Sequence, residues 1–195
     1  MKDTKEHILK TSLQLFLRKN YKEVTMQEIV RETGLSKGAF YHYFTGKDKV
    51  FEEVVRYFFE HCMLADYQQY PNGSLKRFYT AYIEQVHKNT LDQLEDSHES
   101  NPFVMVIEAL RRLPNLREMQ EKQYVEELRY WKVAVKNAKK SGEIATKLSD
   151  ETVARMFINL ADGILLHQTL SSQNFEDTVR ELKRTFDHLF SLLVL

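Results

Sequence analysis

The sequence predicts an all-α fold, and three observations carry that prediction. Only six Gly and three Pro interrupt 195 residues, and no evenly spaced β-branched runs bounded by turn residues occur, which disfavours a sandwich or barrel. Apolar residues recur instead at helical spacing. Ser, Thr and Asp stand just ahead of several of these stretches, where a side-chain oxygen can satisfy the free amides of a first helical turn. Hydrophobic residues make up 43% and charged residues 29% of the chain, with twelve Phe and ten Tyr to fill an interior. That is a globular composition, not a disordered one.

Asp3-x-x-Glu6 opens the first element, and Ile8, Leu9, Leu13, Phe16 and Leu17 give it one apolar face over residues 4–19. Thr25-x-x-Glu28 is a capping box for a second helix, 26–32. Gly34 stops that helix, because glycine accepts the left-handed conformation common at helix C-termini. Ser36 can cap a third helix over about residues 37–43, so the segment reads as helix, tight turn, helix. Thr45-Gly46 separates it from a fourth helix that starts with Asp48 and is apolar on more than one side, through Val50, Phe51, Val54, Val55, Phe58, Phe59 and Cys62.

Tyr70-Pro71-Asn72-Gly73-Ser74 reads as a loop and residues 95–102 as a second polar break, which leaves 75–94 as a helix. Residues 103–113 and 116–141 form two more, divided at Pro114 and closed by Ser141-Gly142. Ser149 caps a helix running to about Leu170, with Asp150 and Glu151 complementing its dipole. In a last helix, 175–194, Phe175, Val179, Leu182, Phe186, Leu189 and Leu193 repeat in alternating steps of four and three. This is the pattern of a helix–helix seam, and on pattern alone it is equally an internal seam or one between subunits.

Lys plus Arg equals Asp plus Glu at 28 each, but residues 1–50 hold ten basic and six acidic residues. The N-terminal quarter is therefore the expected face for a polyanion. The single cysteine, Cys62, cannot form an internal disulfide, and no charged-then-apolar leader or long apolar span precedes the first helix. A cytoplasmic setting without membrane association is expected. No H-E-x-x-H, C-x-x-C or G-x-G-x-x-G occurs, and Gly46-Lys47 lacks the preceding glycine of a phosphate loop. No catalytic residue, metal site or cofactor is expected, and the chain does not read as an enzyme.

In a helix-turn-helix the second helix lies in the major groove, so its outward residues should be small or hydrogen-bonding while its inward ones hold it to its neighbours. In the third helix Phe40 and Phe44 suit a core face and leave Lys37, Gly38, Tyr41 and His42 to other faces. Residues 5–58, through "GLSKGAFYHYF", Lys47 and "VFEEVV", closely resemble the tetracycline-repressor (TetR) family. The resemblance implies a three-helix DNA-binding domain at 1–46 and a larger helical effector-binding and dimerisation domain at 47–195, about nine helices in all. It implies phosphate contacts from Thr25, Tyr41 and Lys47. It also implies a DNA-facing surface of Ser36, Lys37, Gly38, Ala39, His42 and Tyr43, with Lys37 reading a guanine edge. Thr25 and Ser36 read equally as plain caps, and Tyr43 as a core ring.

Beyond residue 60 the resemblance lies in layout. It implies a homodimer through the last two helices, where the small Ala154, Ala161 and Gly163 allow close approach. The expected interface comprises Phe157, Leu160, Ala161, Ile164, Val179, Leu182, Phe186 and Leu189. An effector pocket is expected among Phe58, Phe59, Phe78, Tyr82, Phe103, Tyr124, Trp131 and His167, most of which also read as core. The implied function is a ligand-responsive regulator, expected to be a repressor, that binds a palindromic double-stranded operator as a homodimer and is released by an unidentified small molecule. Two alternatives remain open: an activator of the same family, and a helical ligand-binding or interaction protein without DNA binding.

Overall fold

The structure, a computed structural model, describes residues 2–63, 66–94, 102–170 and 175–194. Nine α-helices and no strand occur among the described residues: α1 (Lys2–Arg18), α2 (Met26–Thr33), α3 (Lys37–Tyr41), α4 (Lys47–Phe58), α5 (Leu75–Leu94), α6 (Pro102–Arg112), α7 (Pro114–Ser141), α8 (Asp150–Leu170) and α9 (Phe175–Leu193). The third helix ends two residues earlier than its sequence suggested. Pro114 begins α7 rather than only dividing two helices, since proline's missing N–H is harmless in a first turn.

The chain divides into two compact units, the first being Met1–Leu64 with Thr90–Leu116. In it α1 packs on α2, α4 and α6, and α4 packs on α6. This explains why α4 is apolar on more than one side: Val50, Phe51, Val54, Val55, Tyr57 and Phe58 are all buried because neighbours flank the helix on two sides. Phe51 meets Phe16 and Tyr21 edge-on, each at 4.9 Å between ring centroids. α4 and α6 thus belong to the same unit as the first three helices.

The second unit is Ala65–Asn89 with Arg117–Leu195. Trp131 sits at its centre with no exposed surface, edge-on to Phe78 at 4.9 Å and stacked on Phe157 at 5.3 Å. Gly142 takes φ +76 at the end of α7 and turns the chain so that Glu143 reaches the start of α5. There its carboxylate accepts from the Ser74 hydroxyl at 2.7 Å and from the amides of Leu75 at 2.8 Å and Lys76 at 3.2 Å, a cap supplied from a distant segment.

One expectation is corrected in this unit. The four-three repeat of α9 is an internal seam over most of its length: Leu182 and Phe186 have no exposed surface, and Leu189 retains 6%. Phe157 and Ala161 of α8 are likewise fully buried within a single chain. A side chain with no accessible surface in one chain has none left to bury against a second. Leu160, Ile164 and Val179 keep part of theirs.

Candidate nucleic-acid interface

Each helix of the turn is started by a side-chain oxygen. Thr25 is extended, and its Oγ1 accepts the Glu28 amide at 3.2 Å. The Glu28 carboxyl is held below its ordinary range by Lys19 at 2.6 Å, and further by the Thr25 amide and Arg31. Gly34 closes α2 at φ +66, with its N–H donated to the Arg31 carbonyl. Ser36 then starts α3, its Oγ accepting the Ala39 amide at 3.2 Å. The expected caps at Thr25 and Ser36 are both present in this geometry.

α3 divides into two faces. Phe40 has no exposed surface, and neither does Phe44 just beyond the helix, their rings 5.9 Å apart. Ser36, Lys37, Gly38, Ala39, Tyr41 and His42 are exposed, as is Thr25. Tyr41 keeps 48% of its surface, large for an aromatic residue and free for a polar partner. Tyr43 is half-buried beside His42, with ring centroids 5.3 Å apart. Arg31, Lys19 and Lys49 pair with carboxylates, whereas Lys37 has no ion-pair partner among the described residues. Its charge is available to an outside anion.

Lys47 occupies a different setting. It is half-buried at the start of α4, and its Nζ donates to the carbonyls of Tyr21 at 2.9 Å and Val24 at 2.8 Å. The same ammonium lies 4.3 Å from the centre of the Tyr21 ring. Arg112 of α6 lies 3.7 Å from that ring, held by a 2.6 Å bond to Glu108. The Tyr21 hydroxyl donates to Asp48. Burial, helped by Asp48, pushes the phenol up to about 12, so it stays a donor throughout the physiological range. Tyr21 and Arg112 were not singled out from sequence, where nothing local marks a loop tyrosine as the hub of a head.

The residues expected at an effector pocket fall in both units. Phe58 and Phe59 are buried edge-on to each other in the first. Phe78, Tyr82 and Trp131 are buried in the second, where Tyr124 is half-buried and His167 exposed. Phe103 lies on α6, and its side chain is outside the described residues. An open groove of about 540 Å³ runs along α7 beside the start of α8, lined by Tyr124, Val125, Leu128, Lys132, Val133 and Arg155. Among the described residues no group of three or more His, Cys, Asp or Glu could hold a metal, and no helix is long and apolar enough to cross a membrane.

A capped helix, a glycine turn and a second capped helix with a polar outer face define a helix-turn-helix protein. Residues 8–54 match the profile of bacterial regulatory proteins of the tetR family. The uncharacterized HTH-type transcriptional regulator YerO of Bacillus subtilis (strain 168) is 43% identical over 58 residues, which are 30% of this chain and 20% of that protein. The matched segment therefore spans about a fifth of that relative. The HTH-type transcriptional repressor NemR of Escherichia coli (strain K12) is 31% identical over 85 residues, 43% of each chain. A crystal structure of a TetR transcription regulator from Haloarcula marismortui aligns over 99% of both chains with a TM-score of 0.73 and 14% identity, and so shares the fold. Over residues 8–54 the chain is thus similar to the tetR family of bacterial regulatory proteins, and its fold is that of the TetR transcription regulator just described.

Proposed function

We propose that this chain is a transcriptional repressor that binds a palindromic operator as a homodimer and is released from it by a small-molecule effector. The observation that carries the DNA-binding part is the division of α3: two phenylalanines fully buried, and an unbroken exposed face of Ser36, Lys37, Gly38, Ala39, Tyr41 and His42. Phosphate contacts from Thr25, Tyr41 and Lys47 would set the register, and Lys37 would reach a base edge. Tyr43 lies at the margin of this surface. NemR, named a repressor, supports the sign of regulation.

A two-fold symmetric operator calls for a two-fold protein contact. The proposed contact uses what α8 and α9 leave uncovered: Leu160 and Ile164 in part, and Leu166 and Leu192 at 43% and 71% exposure, with Gly163 permitting close approach. The effector is assigned to the second unit, where Tyr82, Trp131 and Tyr124 supply apolar surface. On this reading residues 1–46, with Lys47 at the start of α4, contact DNA and the rest of the chain regulates that contact.

Fluorescence anisotropy of a labelled duplex from the gene's own upstream region, against a scrambled duplex, tests the proposal. Affinity should fall steeply between roughly 50 and 200 mM salt as counterions are released. Lys37→Ala should weaken the upstream duplex by about 1–3 kcal/mol and narrow its advantage over the scrambled one. Equal affinity for both duplexes, untouched by salt and by the substitution, overturns the reading.

A further inference from the structure

Most of the bonding capacity of Lys47 is used inside the protein. An ammonium has three N–H donors and no acceptor. On Lys47 two of them go to the carbonyls of Tyr21 and Val24, at 2.9 and 2.8 Å, and the residue has no ion-pair partner among the described residues. One N–H and the whole positive charge are left for a phosphate oxygen. The two carbonyls confine the ammonium, so whatever holds the turn between Tyr21 and Val24 also aims Lys47. Val24 is fixed by its own fully buried side chain.

Tyr21 is fixed from farther away. Its hydroxyl donates to Asp48, and its ring is edge-on to Phe51 and parallel to Phe16 at 6.0 Å. The Arg112 guanidinium, at 3.7 Å, lies nearer the ring centre than the Lys47 ammonium does at 4.3 Å. A guanidinium is planar and weakly hydrated, so at this distance it stacks on a ring rather than acting as a point charge. Arg112 is the last residue of α6, which packs on both α1 and α4, the elements that flank the turn and carry Lys47. Its Nε donates to Glu108 one turn back, at 2.6 Å.

We infer that Arg112 is a positioning residue for DNA binding: by clamping the Tyr21 ring it fixes the carbonyl that aims Lys47 at a phosphate, and it does not touch DNA itself. The bond to Glu108 holds the guanidinium in place over the ring and offsets its charge. A cation already paired with a carboxylate gains less from a phosphate than one without such a partner, as Lys37 and Lys47 are. The inference rests on the phosphate contact of Lys47 proposed above and names the residue that prepares it.

A double-mutant cycle tests it. Titrations of the labelled upstream duplex at one salt concentration compare the parent, Arg112→Met, Lys47→Met and the double variant, all as full chains. With its side chain 32% exposed, Arg112 lies between the exposed and the desolvated case for a cation on a ring, and Arg112→Met should weaken binding roughly three- to tenfold. Arg112→Lys, which returns a cation to the ring, should recover most of that loss. In the Lys47→Met background Arg112→Met should change affinity by less than about 1.5-fold, because the group it positions is gone. A direct contact of Arg112 with DNA, or a general loosening of the head, would instead weaken both backgrounds alike. Equal losses in both, or no loss from Arg112→Met in the parent, overturn the positioning role while a loss from Lys47→Met leaves the phosphate contact standing. Parent-like binding by Lys47→Met overturns the phosphate contact, and the positioning role with it.

Discussion

Lys47 and Tyr21, 26 residues apart in sequence, are joined twice: the lysine ammonium donates to the tyrosine carbonyl at 2.9 Å and lies 4.3 Å from its ring. With the further bond to the Val24 carbonyl, Lys47 closes the loop between α1 and α2 against the start of α4. Family resemblance assigns this lysine to phosphate. Its position gives it a second task, holding the head in shape.

Lys47→Met should therefore lower stability as well as DNA affinity. Losing two charge-assisted bonds in a half-buried setting costs about 1–3 kcal/mol. Chemical denaturation of the free protein checks this. An unchanged midpoint, with a salt dependence of DNA binding reduced by about one phosphate, would leave Lys47 as a phosphate contact alone.

Gly38→Ala should separate folding from DNA binding. A Cβ at Gly38 would meet no atom within 4 Å, and its φ is not in the left-handed region. Alanine is favoured over glycine in a helix by up to about 1 kcal/mol, so the variant should be as stable as the parent or slightly more so. If backbone must approach DNA there, affinity falls all the same. Gly34→Ala is the contrast: at φ +66 it should destabilise by about 1–2 kcal/mol although the space is open.

Glu143→Ala removes the cap from α5 and leaves the amides of Leu75 and Lys76 and the Ser74 hydroxyl without their acceptor. A loss of about 1–2 kcal/mol follows from the measured worth of such caps. Hydrogen exchange should show the loss concentrated in the first turn of α5. Uniformly unchanged protection there would contradict the cap.

The pH dependence of Glu127→Gln has a definite sign. Burial holds the folded carboxyl above its ordinary value of 4.5. The parent's stability at this position is therefore fully present below that value and is lost as pH rises through the higher folded one. Glutamine does not ionise and escapes the loss. The variant should melt above the parent at about pH 7–8 and converge with it near pH 4. Parallel curves over the whole range would remove the claim.

Much of the architecture was legible before any coordinates. The caps at Thr25 and Ser36, the stop at Gly34 and the core faces of α1 and α3 depend on residues within one or two helical turns of each other, the range over which propensity and capping act. Pattern could not tell an internal α9 seam from a subunit seam, because a four-three repeat says only that a helix faces another. The fully buried Leu182 and Phe186 decide it for those positions.

The amino-acid order thus dictated that helices form, to within a few residues where they begin and end, and which short stretch presents polar atoms outward. Packing dictated partners. Lys47 turns to carbonyls 26 and 23 residues away, Glu143 to an amide 68 residues away, and Glu127 to a phenol 60 residues away. Such choices depend on which groups chain folding brings within about 3 Å in a poorly hydrated interior, and no periodicity along the chain encodes that distance.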